Sequence, residues 1–160
     1  MDKSSFGRKD RLVKERRHDS YHSRTKLPDP MVCTECGVVY LKGRWVWNTV
    51  PEGASPSLCP ACRRIADRFP AGQIAMKGSF FAEHRDEVLN LVRNVEGKEK
   101  ANHPMERIMS VADEPGGVVV STTGVHLARG IGAALASAYN GETSVKYLNG
   151  ENYVQVNWTR

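Results

Sequence analysis

The sequence predicts an α+β protein: a four-cysteine metal unit, then a small β-β-α-β-β domain, behind a disordered basic arm. Three observations predict it. All four cysteines of the 160-residue chain fall into two Cys-x-x-Cys pairs, Cys33 with Cys36 and Cys59 with Cys62. Residues 105–160 alternate short apolar runs with glycine-bearing turns around one helical stripe. The net charge is +5, and residues 1–30 hold nine Lys or Arg against five Asp or Glu, so the excess sits ahead of the body. The expected divisions are an arm over 1–30, a zinc unit over 31–78, a helix and connector over 79–104, and an α+β domain over 105–160.

The arm has few aliphatic residues and no sustained period, so it cannot bury enough surface to offset its ordering entropy. Disorder is expected there, with at most a short helix over 9–17. Pro28 and Pro30 mark an extended lead into the first cysteine pair. Alternation on both sides of Lys42-Gly43 predicts a hairpin turning at that dipeptide, with Trp45 and Trp47 on one face. Residues 51–57 are turn formers and predict a loop. After Cys59, Pro60 suits a first helical turn, and Ile65 and Phe69 share a face of that helix. A knuckle, a hairpin and a helix carrying the last ligands make a treble-clef-like unit; a zinc ribbon, with a strand in place of the helix, is the near alternative.

Residues 79–97 predict a helix from a Ser79 N-cap to Gly97 at C′, with Phe81, Val88, Val92 and Val95 on one stripe. Residues 98–104 predict a polar connector. Two strands are expected around the turn at 114–117. Thr123 is the expected cap of a helix whose stripe is Ala128, Ile131, Leu135 and Ala138, ending at Asn140-Gly141. Gly130 and Gly132 each cost that helix about 1 kcal/mol against Ala, and close approach to a sheet is the expected compensation. Two final strands flank Asn149-Gly150, a short hairpin signal.

The spacing is C-x2-C, 22 residues, then C-x2-C. Two residues between sulfurs let a tight knuckle aim both at one ion, with backbone N–H groups turned toward the thiolates. Four thiolates close a tetrahedron and leave no position for water, which is the pattern of structural Zn2+. The metal then supplies folding free energy to a unit with a small core. A dithiol redox pair and iron–sulfur ligation are the alternatives; two pairs on one small unit argue against the first.

The stretches "VCTECGVVYLKGRWVW…LCPACRRI" and "GVVVSTTGVHLARGIGAALASAYNG…VKYLNGENYVQVNWTR" resemble the N-terminal zinc region of the large ribosomal subunit export adaptor family, the nonsense-mediated decay three family. They also resemble small bacterial zinc proteins with this module. The likeness covers about residues 31–160 and is clearest at the cysteine pairs. It implies a ribosome-binding module that contacts large-subunit RNA. The chain lacks that family's additional upstream cysteine pairs and long downstream domains, so a transport role is not implied.

The charges give the expected RNA contacts: Arg8, Lys9, Arg11, Lys14, Arg16 and Arg17 in the arm, Lys42 and Arg44 at the hairpin tip, and Arg63 and Arg64 on the helix. Offsetting the charge of the metal centre is the simpler role for the last four. Trp45 and Trp47 are expected to form the unit's small core rather than stack on bases. His126 with Thr122 and Thr123 is expected to be a helix-start histidine, not an active site. No GxxxxGK[ST], GxSxG or HExxH pattern is present. The expectation is a non-enzymatic, cytoplasmic, zinc-stabilised protein that binds ribosomal RNA or the ribosome, with neither membrane nor small-molecule substrate. A protein–protein adaptor is the alternative. The charged N-terminus does not suit a signal peptide, and no apolar run of about 18 residues exists.

Overall fold

Nine strands and four helices form two sheet-based units in the computed structural model, which describes residues 21, 26–148, 150 and 152–160. Arg8, Lys9, Arg11, Lys14, Arg16 and Arg17 lie outside the described residues, as does most of the arm over 1–30 for which disorder is expected; only residues 21 and 26–30 of it are described.

The first unit is a four-stranded sheet of order β3-β2-β1-β4 with one helix. β2 (Val39–Leu41) and β3 (Arg44–Val46) form the expected hairpin, pairing antiparallel from Val39↔Val46 to Leu41↔Arg44. Lys42 and Gly43 both have positive φ, 51° and 79°, the condition for a two-residue turn that matches strand twist. β1 (Met31–Cys33) pairs antiparallel with β2 and parallel with β4 (Ser55–Ser57). Residues 55–57, expected as loop, are thus a strand. Pro56 is tolerated because β4 is an edge. Helix α1 (Pro60–Asp67) starts with proline at its first position and stops where Arg68 turns left-handed at φ 53°.

The second unit is a five-stranded sheet of order β6-β7-β5-β9-β8. β6 (Ile108–Glu114) and β7 (Gly117–Thr122) form one hairpin, β8 (Glu142–Leu148) and β9 (Tyr153–Thr159) the other. The second hairpin closes at Leu148↔Tyr153, so its loop spans four residues, 149–152, rather than two. β5 (Gly72–Lys77) lies between the hairpins, antiparallel to β7 and parallel to β9. The expected four-stranded sheet therefore has a fifth, central strand, drawn from within the stretch 31–78.

The helices cover one face of this sheet. Ile74, Met76, Val118, Val120, Val154, Val156 and Trp158 point from the strands into one core with Val88 and Val92 of α3 (Arg85–Asn102) and Leu127, Ile131 and Leu135 of α4 (Val125–Tyr139). The expected single helix over 79–97 is two: a short α2 (Ser79–Glu83), then α3 after a break at His84. Ser79 is the first residue of α2 and Gly78 its cap. α3 runs through the exposed Gly97 to Asn102, so residues 98–102 are helix rather than connector. Trp47 and Glu96 hold that last stretch: the Trp47 indole donates to the Lys100 carbonyl at 2.8 Å, and the Glu96 carboxylate accepts from the Ile108 N–H. Among the described residues no helix is long and apolar enough to cross a membrane.

Candidate metal centre

Cys33 ends β1, Cys36 closes the tight turn after it, and Cys59 and Cys62 sit at the cap and in the first turn of α1. The knuckle is set by the backbone: Gly37 N–H donates to the Cys33 carbonyl at 3.0 Å, and Gly37 itself has φ 79°, where a side chain would be strained. At the helix, the Cys59 sulfur accepts from the Cys62 N–H at 3.4 Å, as a capping oxygen would. Cys33, Cys59 and Cys62 are buried and Cys36 is half-buried.

All four sulfurs lie within 4.8 Å of one another, and Cys36 and Cys59 are 3.8 Å apart. That gap is too long for a disulfide. It matches the edge of a tetrahedron of sulfurs each about 2.3 Å from a central zinc, which is about 3.8 Å. The cluster can hold a metal ion with four protein ligands.

The electrostatics favour a thiolate at Cys33 and disfavour one at Cys59 and Cys62. Burial works against ionising Cys33, but the N–H groups of Cys36, Cys59 and Glu35 outweigh it and bring the thiol down to about 6. Burial pushes Cys59 and Cys62 up, with the Cys62 N–H and Arg107 opposing it at Cys59. A cation among four such sulfurs would hold all of them deprotonated.

Arg107 was not legible as part of this site. It lies just before β6, in the second unit, and only 5% of it is exposed. Its guanidinium donates to the Cys62 sulfur at 3.2 Å and the Cys36 sulfur at 3.1 Å, and its Nε donates to the Pro104 carbonyl at 2.8 Å. The Cys59 sulfur is 3.7 Å away. Burial disfavours its charge, yet the adjacent Cys36 and Cys59 sulfurs raise its pKa further. Trp47 covers the outer side, its ring centroid 5.5 Å from the guanidinium carbon. A planar cation thus lies across the sulfurs of the other unit.

Thr123 does not take the capping role expected of it; Glu106, of which nothing was expected, serves the start of α4 instead. Thr123 does not cap α4; its hydroxyl donates to the Met105 carbonyl at 2.6 Å and accepts the Arg107 N–H at 2.8 Å. Gly124 is the cap residue, and the Glu106 carboxylate accepts from the Leu127 N–H at 3.1 Å. Burial raises the Glu106 pKa, and the Leu127 N–H opposes that rise. His126 is exposed beside it.

Among the expected RNA contacts, Lys42 and Arg44 at the turn and Arg63 on α1 are exposed. Arg64 is not: it is 5% exposed, donates to the Phe69 carbonyl at 3.0 Å and lies 4.1 Å from the centre of the Tyr21 ring. Helical spacing turns its neighbour Arg63 outward and Arg64 inward, so Arg64 does not have the exposed position that the expected RNA contact requires. Trp45 packs against the metal centre, as expected, while Trp47 lies beyond β3 and bridges to the second unit. Ile65 and Phe69 are exposed, and Phe69 stacks on Tyr21 at 6.0 Å.

No family description, no curated protein and no solved structure matches the chain.

Proposed function

We propose that the chain is a non-enzymatic RNA-binding protein whose Zn2+ centre is structural, and that it acts on the ribosome in the cytoplasm. The observation that carries the metal assignment is the closed set of four sulfurs at tetrahedral spacing. With the last two ligands on a helix rather than a strand, the treble-clef-like reading is preferred over the ribbon. When bound, the zinc would supply a rigid four-way cross-link and no open coordination position.

What supports RNA as the partner is the placement of cations around that frame. Lys42, Arg44 and Arg63 are exposed, and Arg63 and Gly43 of the hairpin turn line one cleft. The nine basic residues of 1–30 precede it. Phosphates would take the charge that solvent now takes. The ribosome, large-subunit RNA in the first place, is the target that the family resemblance implies.

The test is salt-dependent binding to ribosomal RNA by the full zinc-loaded chain. Neutralising about 6 phosphates lowers affinity by about 10³ between about 50 and 200 mM salt. A chain lacking residues 1–26 has a flatter slope; an unchanged slope removes the arm from the reading. Sedimentation of tagged chain through a sucrose gradient then places it with ribosomes or apart from them.

One observation favours a second reading, docking onto a protein partner. Val145, Tyr147 and Leu148 are exposed on β8, an edge of the larger sheet. Nuclease treatment of an extract separates the two: a partner lost with RNA fits the first, and a nuclease-resistant partner fits the second.

A further inference from the structure

The two units meet over a cleft that the metal ligands do not use. It has a volume of about 550 Å³, within the range that encloses a ligand of nucleotide size. Tyr40, Trp45 and Arg63 line it from the metal unit, and Glu106, Thr123 and His126 from the other. A second recess shares Trp45, Glu106 and His126 and adds Arg44.

The chemistry of these walls is specific. Tyr40 and Trp45 are half-buried with ring centroids 5.2 Å apart and planes tilted by 57°, so packing fixes their orientation. Base stacking needs a flat face held still beforehand. Glu106 is fixed as well. One oxygen accepts from Leu127 N–H, and Gly124 leaves the space its carboxylate occupies, since a Cβ there would overlap it. Among the described residues the other oxygen accepts no hydrogen bond, and a carboxylate can accept about four. Arg63 is an exposed cation on the same cleft.

We propose that this cleft binds one unpaired nucleotide of an RNA strand, its base on the Tyr40–Trp45 wall, its N–H edge on Glu106 and its phosphate on Arg63. The inference rests on the RNA reading above and sharpens it. The target has to present an unstacked base, so single-stranded or bulged RNA is bound in preference to continuous duplex. Guanine is the base that fits best, because N1–H and N2–H face a carboxylate together, whereas uracil offers one N–H. Burial of Glu106 disfavours its ionised form; N–H donors from a base would restore it.

The experiment uses full-length zinc-loaded chain and labelled RNA of about 8 nucleotides. Three probes are compared by fluorescence anisotropy: a uridine run, the same run with one central guanosine, and a duplex of equal length. The expected order is guanosine-containing strand first, and duplex last. Trp45→Leu weakens the single strands by about tenfold and leaves the duplex unchanged. Glu106→Gln keeps an acceptor for Leu127 but abolishes the guanosine preference, with the uridine run bound as before. Zinc content is measured on each variant. If Trp45→Leu loses zinc, Glu106→Gln decides alone, because its site is not in the metal unit. Single strands bound by both variants as by the unaltered chain would overturn the cleft while leaving RNA binding intact. Absence of binding to all three probes and to ribosomal RNA would overturn both.

Discussion

At Arg107 one side chain ties together what the chain keeps 71 residues apart, the span back to Cys36. Its fork of donors reaches two sulfurs while the Nε holds Pro104. Arg107→Met keeps the length and removes the fork; zinc affinity is expected to fall about 10- to 100-fold, read by competition with a chromophoric chelator. Arg107→Lys does not rescue it, because one ammonium lacks the planar fork. Cys59→Ser is more severe, since it removes a ligand outright while its hydroxyl can still cap α1; purified protein is expected to carry no stoichiometric zinc by elemental analysis. The four ligands were legible because their spacing is local: two residues within each pair and a helix start at the second. Arg107 and Glu106 were not. Each acts on a partner from a distant segment, and an isolated Arg or Glu ahead of a strand has no periodic or positional mark.

Elements were legible where their own pattern specifies them and were lost where neighbours do. The Lys42-Gly43 hairpin and α4, with its stop at Asn140-Gly141, follow from turn chemistry and an apolar stripe. β5 was missed although Ile74 and Met76 alternate with Gln73 and Lys77. Six residues form too short a run to separate from the metal unit, and only pairing on both sides makes it a central strand. α3 overran its expected stop because Gly97 is exposed and meets nothing, so the helix keeps helical dihedrals there and gains the Trp47 contact beyond. The two glycines of α4 divide. A Cβ at Gly132 would lie 2.8 Å from the Val156 methyl, whereas one at Gly130 would meet only Val95, at 3.9 Å. Gly132→Ala is therefore expected to destabilise by about 1–3 kcal/mol, and Gly130→Ala to stabilise by about 1 kcal/mol. Urea denaturation of the two variants side by side checks the contrast.

Across the whole molecule, two cores of unequal size are expected to answer differently to loss of the proposed metal. The larger gathers fifteen buried residues on the five-stranded sheet. The smaller consists of Cys33, Val38, Cys59, Ala61 and Cys62, three of them ligands. Chelation is expected to strip amide hydrogen-exchange protection from β1–β4 and α1 while the five-stranded unit keeps most of its own. Uniform loss across both units would show that they fold as one. The position of β5 bears on synthesis too. Its partners β7 and β9 lie far downstream, and β9 is the later of the two. A chain emerging from the N-terminus completes its cysteine knuckle early. It must then carry an apolar strand with both edges bare until the remainder is translated. That interval is when this sequence most needs a chaperone, and slowing translation beyond β5 would lengthen the exposure.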